Sequence, residues 1–369
     1  MHILHLIPSL AKGGAERLAL NSCLELQKRE GVKVKLITFR AENSYAFLSK
    51  EIDHSIIPAS VIPSILGKWT RDISELQRVV DAFQPDVIHT HLFEAEMVVS
   101  QLQLPPTRRI VHFHDNMPQL SRLRLKYLFN KKAVTAYFER MIVLRSYLKH
   151  TTTFIAISKN TEYFIRKNLG KRKPVKLLLN AIQTERFFAE PELARQPYIV
   201  NIGSLVPKKN QQFALKVMRT IKAKGIELHL DILGDGPDRK MLEHQIQEMA
   251  LEDTITLHGN VDHPEEFLKK ASFYLHTATY EPFGLVLLEA MAAGAPVISL
   301  DGGGNKDVIH HKQNGFLLTD QDPEQFAALI ISLLNDETQR LQIGKAGQAF
   351  ALGFGIKAYV DRLLEIYKS

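Results

Sequence analysis

Short apolar runs rich in β-branched residues alternate along this chain with longer stretches whose apolar positions recur at helical spacing. In the first half the runs 2–7, 32–39, 86–91, 109–114, 154–158 and 175–179 read as strands, with helical patterns between most of them. After Gln196-Pro197 the pattern restarts, with strands expected at 198–203, 227–233, 255–258, 273–276, 296–300 and 316–318. Alternation of this kind predicts parallel βαβ units. Near-continuous runs such as Ile3-Leu4-His5-Leu6-Ile7 fit strands covered on both faces. The expected fold class is therefore α/β, as two doubly wound Rossmann-like domains, with the boundary between Asn180 and Pro197 where Glu-Pro-Glu and Gln-Pro interrupt the pattern.

A length of 369 residues supports two such cores, and 45% hydrophobic with 24% charged residues describes an ordinary globular protein. The single cysteine, Cys23, excludes an intramolecular disulfide and suits a reducing cytoplasm. The N-terminus reads as a buried strand rather than a signal peptide, and no apolar stretch is long enough to span a bilayer. Charge is uneven. Residues 1–182 hold 28 Lys and Arg against 15 Asp and Glu, a net +13, while the remainder has 19 against 25, a net −6. A basic half suggests a face that meets an anionic partner.

The most informative stretch is Thr277 to Ala293, which carries Glu281 and Glu289 eight positions apart. Pro282 and Gly284 mark a loop and Leu285 to Ala293 a good helix-forming run, so Glu281 is expected before a helix and Glu289 within it. The two carboxylates would lie roughly 10 Å apart, able to hold opposite ends of a nucleotide-sized ligand near a helix N-terminus. Glycine turns follow three apolar strands: Gly13-Gly14, Gly203-Ser204 leading to Lys209, and Gly234-Asp235-Gly236. The last lacks the third glycine of a dinucleotide fingerprint, so a dehydrogenase reading fails. Val111-His112-Phe113-His114-Asp115 places two histidines on one face at a strand's carboxyl end, where α/β folds bind ligands, and His89 and His91 follow the same logic.

The run from Glu281 to Glu289 with its Pro-Phe-Gly resembles the Glu-x7-Glu element of retaining, nucleotide-sugar-dependent glycosyltransferases of the GT-B fold, in the family 4 group. The resemblance covers nearly the whole chain and is strongest in the second half. It implies a GT-B fold with an acceptor-side domain at 1–182, a donor domain at 183–354 and a helix at 355–369 that crosses back to the first domain. It implies that Glu281 contacts the donor sugar and Glu289 the ribose, with Phe283, Gly284 and Leu285 between them at the donor. Gly13 and Gly14 would lie beside the donor, Gly203, Ser204 and Lys209 at its pyrophosphate, Gly234 at the nucleotide pocket and His114 against the sugar. Ser204 stands where the family's turn usually has Arg, so pyrophosphate binding is expected to lean on Lys209 and helix dipoles. Gly302-Gly303-Gly304 matches a further donor turn, with Asp307 in place of the usual Glu.

The activity implied is transfer of a hexose from a UDP- or GDP-sugar to a glycan or lipid-linked acceptor, with retention and with the leaving phosphate taking the acceptor's proton. No cofactor or metal is expected, since Asp322 of Asp320-Gln321-Asp322 precedes Pro323 and reads as a helix cap. Arg108 to Lys149 holds ten basic and two acidic residues, interleaved with Tyr127, Phe129, Tyr137, Phe138 and Tyr147. This composition favours contact with an anionic membrane through residues among Arg122, Arg124, Lys126, Lys131 and Lys132. The expected location is the cytoplasm, in reach of the inner membrane face. Two other classes stay open at this point: a nucleotide-sugar epimerase of the same fold, and a non-catalytic protein that binds nucleic acid or another anionic surface.

Overall fold

The computed structural model describes residues 1–62, 70–122, 130–190 and 196–369. They form two compact units, Met1–Asn180 together with Ile356–Ser369, and Ala181–Gly355.

The first unit is built on a seven-stranded parallel sheet in the order β3-β2-β1-β6-β7-β8-β9. Its strands are β1 (His2–Ile7), β2 (Lys33–Thr38), β3 (Asp53–Ile56), β6 (Val87–His91), β7 (Arg108–Phe113), β8 (Thr152–Ala156) and β9 (Val175–Leu177). β4 (Ser60–Ile62) and β5 (Thr70–Asp72) pair separately as an antiparallel hairpin. Five of the six residues of β1 and all five of β6 are buried, as expected for strands covered on both faces. The period of two sorts their side chains. Leu4, Leu6 and Ile88 enter one apolar cluster, and Val111 and Phe113 of β7 enter another with Phe154 and Val143. His5, His89, His91 and His112, at the alternate positions, share the opposite face.

β3 and the hairpin were not anticipated. β3 is a four-residue edge strand with no buried position, and without a buried face it has no apolar periodicity to betray it. The last helix, Ile356–Lys368, packs in this unit against helix Gly14–Leu26, burying Tyr359, Leu363 and Tyr367.

The second unit has six parallel strands in the order β12-β11-β10-β13-β14-β15. These are β10 (Gln196–Ile202), β11 (His229–Leu233), β12 (Ile255–Gly259), β13 (Ala271–His276), β14 (Val297–Leu300) and β15 (Phe316–Leu318). One large apolar cluster joins Ile199, Ile232 and Phe273 of the sheet to Phe213, Met218, Phe326 and Ile330 of the helices. Asp322 caps helix Pro323–Asn335 by accepting from the Glu324 and Gln325 amides. In both units strand order reverses once, between β1 and β6 and between β10 and β13, and the crevice at the carboxyl ends of such a pair is where open α/β sheets bind ligands.

Candidate active site

In the second unit the reversal point collects the charged residues. β10 ends at Ile202 and runs through Gly203-Ser204 into the 3-10 turn Pro207–Lys209; β13 ends at His276 and runs into the loop that holds Glu281. The two loops are tied together. Thr277 Oγ1 donates to the Lys209 carbonyl at 2.9 Å, and the Thr279 amide donates to the Lys208 carbonyl at 2.9 Å. So positioned, Lys209 Nζ lies 2.6 Å from Glu281 Oε2, and His276 Nε2 lies 3.2 Å from the same oxygen.

Glu281 is 7% exposed. Burial pushes its carboxyl up, but His276 and Lys209 outweigh this and hold it near 2, so it is a carboxylate at neutral pH. His276 is driven the other way, below its ordinary value, chiefly by burial.

The loop after β14 fixes the backbone of Glu281. The Glu281 amide donates to the Gly302 carbonyl and the Gly304 amide donates to the Glu281 carbonyl, each at 2.8 Å. Only glycine allows that approach, because a Cβ on Gly304 would lie 1.8 Å from the Pro282 carbonyl oxygen. Gly234 has a similar reason to be glycine: its φ is +140°, and a Cβ there would meet the Gly203 carbonyl at 2.1 Å, so the turns after β10 and β11 press backbone to backbone.

Helix Leu285–Ala292 opens at Gly284, whose φ is +90°. Glu289 lies in that helix, half-buried, and Phe283 is buried with its ring centroid 6.4 Å from that of Phe354. Ser204 is exposed and Leu285 half-buried.

In the first unit Gly13 caps helix Gly14–Leu26 in extended conformation, and its carbonyl accepts from the Tyr45 hydroxyl at 3.1 Å. His114 follows the end of β7 and is 8% exposed. It stacks on His112 and His91, with centroids 4.1 and 5.1 Å away. His89 and His5 continue the cluster, brought level by the registers His5↔His89 and His91↔His112. Burial drives His5 and His114 down to about 3 and His89, His91 and His112 well below the ordinary value, so all five are neutral at pH 7.

Residues 182–350 match the family profile described as glycosyl transferases group 1, and residues 12–186 match glycosyltransferase family 4. The chain belongs to the GT-B glycosyltransferases. Among similar proteins, an exopolysaccharide phosphotransferase of Streptomyces coelicolor is 30% identical over 58% of this chain, which spans 23% of that protein. The lipopolysaccharide core biosynthesis glycosyltransferase LpsD of Rhizobium meliloti is 23% identical, covering 96% of this chain and 95% of its own length. Anabaena HepE, solved in complex with UDP and glucose, superposes with a TM-score of 0.79 at 21% identity, over 100% of this chain and 99% of its own.

Within this GT-B chain, the residues singled out in the sequence fall in two groups. Gly203, Lys209, Gly234, Glu281 and the 302–304 glycines converge in the second unit, and His112, His114, His89 and His91 converge in the first. His276 and His5 were not singled out, although each ends or sits in an apolar run at a position comparable to His91 or His89.

The basic surface needs correction. Tyr147 is 3% exposed and its hydroxyl donates to Glu96 at 2.8 Å, while Arg109, also counted there, is fully buried 2.8 Å from Glu96. Neither can meet a membrane. Among the described residues of helix Lys131–Lys149, the large apolar side chains most open to solvent are Tyr137, Phe138 and, at 79% exposure, Leu148. Arg122 is exposed; Arg124 and Lys126 lie outside the described residues, as do the side chains of Lys131 and Lys132.

Proposed function

We propose that the protein transfers a hexose, with retention of anomeric configuration, from a UDP- or GDP-sugar to a glycan or lipid-linked acceptor in the synthesis of cell-surface polysaccharide or glycolipid. The observation that carries this reading is the Lys209, Glu281 and His276 cluster at the reversal point of the second sheet. Breaking the bond between sugar and diphosphate builds negative charge on the leaving phosphates and positive charge on the sugar. A lysine on a glycine turn answers the first, and a buried carboxylate kept ionised by two neighbours answers the second.

Lys209 is then exchanged between partners, Glu281 in the free protein and the diphosphate when donor binds. The phosphate itself takes the proton of the attacking hydroxyl. Metal plays no part in this scheme, and Asp322 of the Asp-x-Asp sequence is engaged as a helix cap. UDP in HepE supports the donor class, and the lipopolysaccharide role of LpsD supports the acceptor class.

We place the enzyme in the cytoplasm, touching the inner membrane face through Arg122 and the exposed side of helix Lys131–Lys149. No described helix is long and apolar enough to cross a membrane.

The test is incubation with a panel of UDP- and GDP-sugars, with and without lipid-linked or oligosaccharide acceptors. Nucleotide release that requires acceptor, and a product with the donor's anomeric configuration, supports the proposal. Conversion of the donor to a sugar isomer without acceptor would replace it with an epimerase.

A further inference from the structure

The five histidines of the first unit and Tyr367 are linked end to end. His114 Nε2 meets His91 Nδ1 at 2.8 Å, and His91 Nε2 meets His5 Nδ1 at 2.9 Å. His5 Nε2 lies 3.3 Å from the Tyr367 hydroxyl, which in turn lies 2.5 Å from His89 Nδ1. His89 Nε2 meets His112 Nδ1 at 3.1 Å. Two ring nitrogens remain, His114 Nδ1 and His112 Nε2; both are buried, and neither has a hydrogen-bond partner among the described residues. They belong to neighbouring rings whose centroids are 4.1 Å apart and whose planes differ by 24°.

Proton counting fixes what those two ends can be. A neutral imidazole carries one N–H and one bare nitrogen, and a phenol carries one O–H. Six groups therefore bring six protons to five links, and the one left over must sit at one end. One end is a donor and the other an acceptor. The shorter contact of Tyr367 is to His89, so the phenol donates there and accepts from His5 Nε2. Followed outward, this puts the proton on Nε2 in all five rings, leaving His112 Nε2–H as the free donor and His114 Nδ1 as the free acceptor.

We propose that these six residues form a single hydrogen-bonded chain of fixed polarity whose two ends grip one hydroxyl group, and that Tyr367 is the positioning residue that sets the tautomer of all five imidazoles. A hydroxyl, of a sugar or of water, donates one bond and accepts another, and so matches the pair of ends. A carboxylate can only accept and an ammonium can only donate. A divalent cation would need bare nitrogens at both ends and hence the loss of a proton from the chain. The tautomer pattern stands independently of the transfer reaction; a sugar hydroxyl as occupant rests on the sugar-binding reading given above.

The experiment is long-range proton–nitrogen correlation on the full chain labelled with 15N-histidine, at pH 7, where nitrogen shifts separate the two neutral tautomers from each other and from imidazolium. Five buried imidazoles, all protonated at Nε2, are expected. A mixture of Nδ1–H and Nε2–H forms among them, an imidazolium, or stoichiometric zinc by elemental analysis overturns the proposal.

UDP-glucose, methyl α-glucoside and no sugar form the three arms. Shifts at His112 and His114 with UDP-glucose assign the hydroxyl to the donor, and shifts with the glucoside alone assign it to an acceptor. The uniform pattern with no shift in either arm assigns it to water. Tyr367→Phe removes the oxygen joining the two halves of the chain, so His5 and His89 are expected to populate both tautomers. An unchanged uniform pattern in that variant overturns the role of Tyr367, and if the variant does not fold the native spectrum still decides the chain.

Discussion

Lys209 Nζ and Glu281 Oε2 are 2.6 Å apart, although they come from loops that follow different strands and are separated by 72 positions in the sequence. The pair is partly open on the lysine side, with 20% of the Lys209 side chain exposed against 9% for Glu281. An incoming diphosphate can therefore compete for the ammonium group without dismantling the core. Lys209→Ala should weaken nucleotide-sugar binding, and Glu281→Gln, which keeps shape but loses charge, should chiefly lower kcat. Removal of one preorganised electrostatic partner commonly costs about 100-fold or more. Titration calorimetry with UDP-glucose and steady-state rates separate the two effects. Wild-type values for both variants would disprove the assignment of this pair.

Gly304→Ala tests the backbone side of the same site. The added methyl would fall 1.8 Å from the Pro282 carbonyl oxygen and 2.8 Å from that of Glu281, neither of which can yield as a flexible side chain would. The Glu281 loop must shift, and positioning errors of about 1 Å can cost on the order of 100-fold in rate. The expectation is a folded protein with a strongly reduced rate. Unchanged kinetics would mean that the loop accommodates the methyl elsewhere.

The parallel strands other than β3 and the glycine turns after β10 and β11 were legible because each has a local signature: a short apolar run, then Gly, then a helical pattern. Glu281 and Lys209 could be singled out by spacing and resemblance, but their direct contact could not. It depends on the order in which β10 and β13 pair, a property of the whole sheet. His5 illustrates the same limit, since inside Ile3-Leu4-His5-Leu6-Ile7 it reads as a packed residue until the β1–β6 register sets it opposite His89. Tyr147 failed for the converse reason. An aromatic among lysines and arginines looks like a surface anchor, and only the buried Glu96 reveals that it faces inward.

Glu96 and Arg109 are both fully buried and 2.8 Å apart. Arg109 also donates to the Ser146 hydroxyl and lies 5.0 Å over the Tyr147 ring, while Glu96 accepts from the Thr90 and Tyr147 hydroxyls. Deleting one partner strands the other charge in the interior, which typically costs about 3–5 kcal/mol. Glu96→Ala should therefore destabilise the protein far more than Arg40→Ala, whose Glu94 partner is exposed and belongs to a class of pair worth about 0–1 kcal/mol. Urea denaturation of the two variants checks this, and equal losses would contradict it.

Membrane contact predicts a salt-sensitive but incomplete dependence. Each exposed lysine or arginine near an anionic surface contributes about 1 kcal/mol, screened over roughly 10 Å at 0.1 M salt. Tyr137, Phe138 and Leu148 add apolar contact that salt does not weaken. Co-sedimentation with anionic vesicles should fall, without vanishing, as salt rises. Leu148→Glu should reduce the salt-resistant part. Equal binding to neutral and anionic vesicles, or none to either, would leave this helix as an ordinary solvated face.

The buried histidines make a prediction about acid. Each is held neutral in the folded chain, with His5 and His114 near 3 and the other three well below the ordinary value, whereas in the unfolded chain all would titrate near 6.5. Between those limits the unfolded state binds more protons than the folded one, so stability rises with pH and is lost as pH falls below about 6.5. Glu281, with its depressed value near 2, adds a loss only below about 4.5. Each histidine contributes a slope of about 1 kcal/mol per pH unit over its window, so the five together should make unfolding steep between pH 6 and 5. Urea midpoints measured from pH 8 to 5 should drop sharply below 6.5, and a His5→Gln, His89→Gln double variant should show a shallower fall. A flat profile across that range would mean that the cluster takes up protons while folded.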